Sequence, residues 1–449
     1  MKNELFITIG LCTLPFSSTL IAKTQSPNII VILVDDLGYG DLSCQKQGTD
    51  ILTPNIDKLL TEGIHCSNFH SNCPVSSPSR ASLLTGLFPD KVGVPGVIRT
   101  YPEDSWGYLS ESSILVPQLL KKKGYDTALI GKWHLGLETP NMPNNRGFDY
   151  FYGFLGDMMD DYYTHLRCGN NYMRKNEREI DPKGHATEIF SDEAIRYVTE
   201  RKQQNDPFFL FLSYNAPHTP IQPPTEWVDK IEKRQSGITK KRAKLVALIE
   251  HLDENIGRLY RTLEQNGQLE KTLIVFASDN GGQVDAGANT APPRGTKQNM
   301  YEGGICVPGG FYWKGTIQPA ANDNFMMLSD IFPTLCDLTD VKIDHKIDGI
   351  SILPILQGRS QVTDDRLVYW VRREGNFNYG GQAYYAARYK NYKLLQNTPW
   401  EPLLFFDLEA DPKEENPITE RSSDMYKKLF NGLMEHIRIA GATPWQKAE

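Results

Sequence analysis

The chain has 449 residues, 40% of them hydrophobic and 23% charged, and a formal net charge of −7. At roughly 150 residues per domain this is about three domains, or one large domain with an appendage, and it is long enough to bury a sizeable core. The balance excludes disordered, collagen-like and coiled-coil classes, and its acidity argues against nucleic acid, an anionic membrane surface or a polyanion as partner.

Residues 1–22 (MKNELFITIGLCTLPFSSTLIA) place a lysine before an apolar run that ends near Ser and Thr. This pattern reads as a secretory signal peptide, and the chain is expected to be exported, periplasmic or secreted, in a bacterium. Pro15, Ser17 and Ser18 interrupt the run too early for a stable membrane span. Seven cysteines become six after processing, with no CxxC pair and no Cys/His zinc spacing. They read as mostly buried thiols.

Short continuous apolar runs at Asn28–Val34, Asp126–Ile130, Pro207–Leu212 and Thr272–Ala277 read as buried strands. The clearest helix runs from Lys244 to Gln265, with Leu245, Leu248, Ile249, Leu252, Ile256, Leu259 and Leu263 on one face and Gly267 past its end. The basic residues around its start, including Arg234 and Arg242, read as a solvated face. Strands alternating with helices predict an α/β fold, a large mostly parallel or mixed sheet covered by helices on both sides. After Gly358 the texture changes. Runs at Leu367–Arg372, Ala383–Tyr389, Tyr392–Gln396 and Leu404–Asp407 predict a small antiparallel sheet, and Ser422–Arg438 a final helix. The expected division is therefore a signal peptide (1–22), a catalytic domain (23–358) and a C-terminal α+β subdomain (359–449).

Each buried run ends in polar residues. Asp35-Asp36 follow the first, Lys132 and His134 the second, His218 the third, and Asp279-Asn280 the fourth. In an open parallel sheet the carboxyl ends of the strands share one rim, where ligands bind. Asp35, Asp36, Asp279 and Asn280 offer only oxygen donors, which suits a hard cation, Ca²⁺ or Mg²⁺, over zinc. Lys132, His134 and His218 add positive charge and proton donors for an oxyanion. A Ser-rich turn, Ser76-Ser77-Pro78-Ser79-Arg80, leads into a short helix whose N-terminus suits an anion. Read alone, Ser77 or Ser79 is a helix cap there.

Ser76-x-Pro78-x-Arg80-x-x-x-Leu84-Thr85-Gly86 resembles the signature of type I sulfatases, members of the alkaline phosphatase superfamily. The resemblance extends through Asp35-Asp36-Leu37-Gly38, Gly131-Lys132-Trp133-His134, Asn215-Ala216-Pro217-His218, Ser278-Asp279-Asn280-Gly281-Gly282, Arg294-Gly295-Thr296-Lys297, Glu302-Gly303-Gly304 and Phe405-Phe406-Asp407-Leu408. It covers residues 27 to 420 in family order. One departure is Cys306, where the family usually has arginine after Glu-Gly-Gly-x.

The resemblance implies hydrolysis of sulfate esters. It implies that Ser76 is oxidised to formylglycine by a serine-type radical iron–sulfur maturating enzyme. Asp35, Asp36, Asp279 and Asn280, completed by position 76, would hold one divalent ion, Ca²⁺ or Mg²⁺. The hydrated aldehyde, a gem-diol, would attack sulfur. Lys132 and Lys297 would clamp sulfate oxygens, Arg80 would orient the formylglycine, His218 would protonate the departing alcohol, and His134 would deprotonate the second hydroxyl to expel sulfate.

The expected substrate is a sulfated saccharide of glycosaminoglycan or mucin type, cleaved from a chain end. Tyr and Trp faces suit sugars, and arginines suit carboxylates or further sulfates. Arg99, Trp106, Asp160, Asp161, His165, Arg372 and Arg373 are the candidate substrate residues. The alternatives are an arylsulfatase or choline-sulfatase activity, a phosphatase or phosphonate hydrolase of the same superfamily, and a catalytically silent glycan-binding module.

Overall fold

The structure, a computed structural model of the chain, describes residues 26–45, 50–101, 104–204, 206–359, 365–375 and 382–447. The expected signal peptide lies outside the described residues. Among the described residues, no helix is long and apolar enough to cross a membrane.

The four apolar runs form the centre of one mixed sheet. Asn28–Val34 pairs in parallel with Phe208–Ser213 on one side and Thr272–Ser278 on the other. Asp126–Lys132 adds in parallel beyond Phe208–Ser213, and Tyr150–Phe154 beyond that. Short strands, several of them antiparallel, extend both edges. Every residue of Phe208–Ser213 and Thr272–Ser278 is buried, as expected of strands covered on both faces.

Alternation along the first strand divides the core. Ile29, Val31 and Leu33 join the side packed by helices Ser76–Thr85, Val116–Lys121 and Ile331–Leu338. Ile30, Ile32 and Val34 face helices Pro54–Thr61, Ala186–Glu200 and Lys240–Gln265. The long helix starts at Lys240, four residues before the periodic pattern, because Thr239 caps it by accepting from the Arg242 amide. Two of the basic residues near it are not a solvated face. Arg234 binds Glu250 and the Asp50 carbonyl, and Arg242 binds Asp41 and Asp50, so both tie the helix to the loop before Pro54–Thr61.

The C-terminal part is the expected antiparallel sheet, Val368–Glu374, Gln382–Tyr389, Tyr392–Gln396 and Leu404–Asp407, in chain order. One face, with Ala387, Leu394 and Phe405, packs on Leu429 and Leu433 of helix Asp424–Ala440. The other, with Trp370, Ala386, Leu395 and Phe406, packs on Phe88, Met300, Ile305 and Met327 of the larger body. The six cysteines after residue 26 are free.

Candidate active site

The strand ends meet as the parallel arrangement requires. Asp35 N donates to the Ala216 carbonyl (3.1 Å) and Asp279 N to the Val34 carbonyl (3.0 Å), so three strand ends share backbone bonds at the rim. Helix Ser76–Thr85 starts at Ser76 itself, with Val75 as a cap lacking a side-chain bond. Neither Ser77 nor Ser79 caps it. Ser77 Oγ accepts from Ile98 N, and Ser79 Oγ bonds the Cys73 backbone. Both hydroxyls fasten neighbouring loops and leave Ser76 alone to face the rim.

Ser76 Oγ lies 3.0 Å from Asp35 Oδ1 and 3.3 Å from Asn280 Oδ1. Asn280 Nδ2 donates to Asp36 Oδ1 (2.7 Å). Lys132 Nζ donates to Asp35 Oδ2 (2.6 Å), and Lys297 Nζ to Asp36 Oδ2 (2.7 Å). Arg80 reaches Asp279 Oδ2 through Nε (3.1 Å) and a terminal nitrogen (2.8 Å), and Ser213 Oγ through the other. His218 Nε2 stands 3.7 Å from Asp36 Oδ2, while its Nδ1 donates to the Thr219 carbonyl. Asp36 and His134 both adopt positive φ, 68° and 60°. Such backbone costs of order 1–3 kcal/mol outside glycine and concentrates at functional sites.

The electrostatics follow from crowding buried charge. Burial opposes the Asp35 carboxylate, but Lys132, His218, Arg80 and Lys297 outweigh it and hold its carboxyl well below the ordinary range. Burial and the Asp35 charge push Asp279 up to about 7 despite Arg80 and Lys132. Burial, then Lys132 and Arg80, hold His134 well below the usual imidazole value. His134 Nε2 donates to the Ile98 carbonyl (3.0 Å), and Nδ1 is buried without a partner. The ring is therefore neutral, with its lone pair on Nδ1.

The donor set fits a hard divalent cation. Asp35 and Asn280 contact Ser76 Oγ, Asp36 bonds Asn280 and Asp279 through its side chain and backbone, and the raised Asp279 marks an acidic load that such an ion relieves. Asp35, Asp36 and His218 bring possible ligand atoms within 4.8 Å of one another.

The substrate candidates divide. Arg99 sits beside Ile98, whose backbone meets both Ser77 and His134, and it pairs with Glu374 (2.5 Å). Arg372 pairs with the same Glu374 (2.9 Å) and donates to the Gln298 carbonyl, next to Lys297. These residues border the site. Arg373, on the alternate face of its strand, lies over Tyr385. Trp106 stacks on Trp445 (ring centroids 4.2 Å apart), so one aromatic face is already covered. Asp161 is a turn residue, accepting from Tyr163 N, Thr164 N and Gln222 Nε2. His165 is buried and bonded to the Gly184 carbonyl. Asp161 and His165 thus have intramolecular partners. Asp160 accepts from Arg167, which also grips Asp157 through two nitrogens (3.0 and 3.1 Å), and Asp157 accepts from Thr100.

Asp157 and Glu374 were not among the expected residues. Asp157 follows strand Tyr150–Phe154, whose mixed burial gives no clean apolar run. The nearest signal was its position after an aromatic stretch. Cys306 is buried beside His70, and burial with the Glu302 charge pushes its thiol up, so it is inert.

This architecture sets an oxygen-donor cluster and the first residue of a helix, Ser76, together at the carboxyl rim of a mixed sheet covered by helices, the layout of an α/β enzyme. Known proteins narrow the class. The Sulfatase family profile matches residues 27–341, and the N-sulphoglucosamine sulphohydrolase C-terminal profile matches 296–440. The chain is 31% identical over 407 residues to the uncharacterized sulfatase YdeN of Escherichia coli, covering 79% of this chain and 70% of that one. It is 30% identical to the N-acetylgalactosamine-6-sulfatase of Homo sapiens, covering 78% and 69%. The solved structure of Ps i-CgsB in complex with k-i-k-neocarrahexaose superposes with a TM-score of 0.85 at 30% identity, covering 95% of each chain. The chain belongs to the type I sulfatase family and is a sulfuric ester hydrolase.

Proposed function

We propose that the protein removes sulfate from the ends of sulfated saccharides, with position 76 as the nucleophile after conversion to formylglycine. The observation that carries this reading is the seat of Ser76: first residue of its helix, buried, and bonded to Asp35 and Asn280 among the oxygen donors. Formylglycine, with a divalent ion (Ca²⁺ or Mg²⁺) held by Asp35, Asp36, Asp279 and Asn280, would supply a nucleophilic oxygen and Lewis acidity.

The remaining work falls to the chain's own side chains. Lys297 and Lys132 present ammonium groups beside the carboxylates, and charge-assisted donors of this kind suit sulfate oxygens. Arg80 fixes Asp279 and the Ser213 hydroxyl, and so fixes the floor under position 76. His218 keeps Nδ1–H on the Thr219 carbonyl and turns Nε2 toward Asp36; burial and the Lys297 charge lower its pKa against the pull of Asp36 and Asp35, so Nε2 can hand a proton to a leaving alcohol only from the imidazolium form. His134 has a free lone pair on Nδ1 in a site hostile to imidazolium, which suits a base acting at position 76.

The saccharide reading is supported by two hydrogen-bonded groups joined at the neighbouring residues Arg99 and Thr100. One is Arg99–Glu374–Arg372, and the other is Thr100–Asp157–Arg167. Planar guanidinium–carboxylate pairs suit vicinal hydroxyls and anionic substituents. The likeness to a carrageenan-bound structure and to an N-acetylgalactosamine-6-sulfatase points the same way. Export through residues 1–22 and maturation by a serine-type radical iron–sulfur enzyme complete the proposal.

The test is a panel of defined sulfated mono- and disaccharides, varying the 2-, 3-, 4- and 6-O positions, run beside aryl sulfate, choline sulfate and phosphate esters. Turnover of one saccharide position at least 100-fold faster than the other esters is expected. Efficient turnover of aryl or choline sulfate alone would refute the saccharide reading.

A further inference from the structure

Lys393 occupies a place where an apolar side chain is expected. It lies two residues before Leu395 on strand Tyr392–Gln396, on the face turned toward the larger body, and it is fully buried. A buried ammonium is costly unless paired and hydrogen-bonded. Here it donates to Glu302 Oε1 (2.6 Å) and Glu414 Oε1 (2.8 Å). Glu302 Oε2 accepts from His70 Nε2 (2.7 Å), and Arg388, the strand neighbour of Lys393, stands 3.7 Å from the same oxygen. His70, Glu302 and Cys306 carry atoms that could ligate a metal. Lys393 and Arg388 already supply the positive charge at Glu302, so the cluster is an ion network.

Glu302 opens a turn with a particular construction. Glu414 Oε2 accepts its backbone N–H (2.7 Å). Gly303 N donates to the Arg294 carbonyl (2.6 Å), Gly281 N donates to the Gly304 carbonyl (2.9 Å), and Lys297 N donates to the Gly282 carbonyl (3.0 Å). Three loops are thus stitched backbone to backbone: the one with Asn280, the one with Lys297, and the Glu302 turn itself. They approach too closely for side chains. A Cβ at Gly281 would meet the Gly303 oxygen at 2.0 Å, and one at Gly304 would meet the Asn299 oxygen at 2.1 Å. Glycines cannot anchor themselves through side chains, so the anchor of the stack is Glu302, gripped by His70 within the larger body and by Lys393 and Arg388 from the C-terminal sheet.

We infer that Lys393, with Glu414, is a positioning residue for the sulfate site: the C-terminal sheet holds Lys297 and Asn280 in place through Glu302. The inference rests on the sulfatase reading of those two residues. Without Lys393, the two carboxylates repel across a buried gap, the Glu302 turn shifts, and the glycine stack carries the shift to Asn280 and Lys297.

The experiment compares wild type, Lys393→Met and a control, Arg234→Met, which breaks a part-buried pair with Glu250 outside the Glu302 network. Each full-length protein is assayed on a sulfate ester well below its melting temperature. Amide hydrogen exchange is followed in peptides covering 278–305. Lys393→Met is expected to lower kcat/KM at least tenfold and to speed exchange at Gly281 and Gly303. Arg234→Met is expected to change neither by more than twofold. Unchanged exchange and kcat/KM in folded Lys393→Met, or equal losses in the control, overturn the inference. If Lys393→Met does not fold, Glu414→Gln decides by the same two readouts, with a threefold loss expected and no change contradicting the claim. A wild-type enzyme inactive on every sulfate ester would count against the sulfatase reading, while the exchange result still judges the positioning role.

Discussion

Replacing Arg80 by Met tests how the site tolerates its own charge. Arg80 is fully buried, and its guanidinium gives Asp279 two bonds while lying 3.7 Å from Asp35. Removing one partner of a buried pair typically costs about 3–5 kcal/mol, because the other charge is stranded. Here the stranded group can escape by taking a proton. Burial and Asp35 already push Asp279 up to about 7, and losing Arg80 raises it further. A carboxyl raised on folding binds more protons in the folded state, so stability falls as pH rises from its unfolded value through its folded one. Each unit of further rise extends that fall by about 1.4 kcal/mol at alkaline pH. Urea unfolding followed by tryptophan fluorescence, in chelator, at pH 5 and pH 8.5, reads this directly. The variant is expected to lose about 3–5 kcal/mol at pH 8.5 and markedly less at pH 5, against a total stability of about 5–15 kcal/mol. A loss below about 1 kcal/mol, or an equal loss at both pH values, would refute the picture of a carboxylate kept ionised by Arg80.

His134 gives a prediction of the opposite kind. Burial, Lys132 and Arg80 hold its imidazolium well below 6.5, so the free base persists through neutral pH and is lost only as pH falls lower. The acid limb of kcat should therefore lie below pH 6.5, and a limb centred at the ordinary histidine value would contradict the base role. Gly281→Ala places a methyl group 2.0 Å from the Gly303 oxygen, so the two loops must part. A fall in the urea midpoint equivalent to more than about 2 kcal/mol is expected, together with lost sulfate ester turnover. Lys297→Met removes the 2.7 Å bond to Asp36 and a positive charge from the carboxylate cluster, and should lower kcat/KM by about 100-fold with the fold retained.

The sheet was legible because its central strands are buried on both faces. Asn28–Val34 and Thr272–Ser278 are continuous apolar runs that no other element would contain, and the rule that strand ends share a rim brought Asp35, His134, His218 and Asp279 together across the chain. Ser76 was legible through the motif and not through capping logic, since Val75 takes the cap position. What stayed hidden depends on tertiary pairing. Tyr150–Phe154 is a half-buried fifth parallel strand, so its pattern is neither continuous nor cleanly amphipathic, and Asp157 beyond it went unread. Lys393 looks like any strand lysine until Glu302 and Glu414 are seen to enclose it. Asp161 and His165 show the same limit of the sequence. Polar residues in a loop look available, and only the fold reveals that turns and carbonyls have already engaged them. The net charge of −7 belongs with these cases. It averages over a surface, whereas Arg80, Lys132 and Lys297 concentrate at one rim.

The central claim is that position 76 carries the nucleophile in oxidised form. Protein co-produced with a serine-type maturating enzyme and digested with trypsin yields the peptide Leu59–Arg80, which contains Ser76. Its mass, measured on the same preparation that hydrolyses a sulfate ester, should be lower by two hydrogens at Ser76. An active preparation whose peptide carries only unmodified serine would contradict the account.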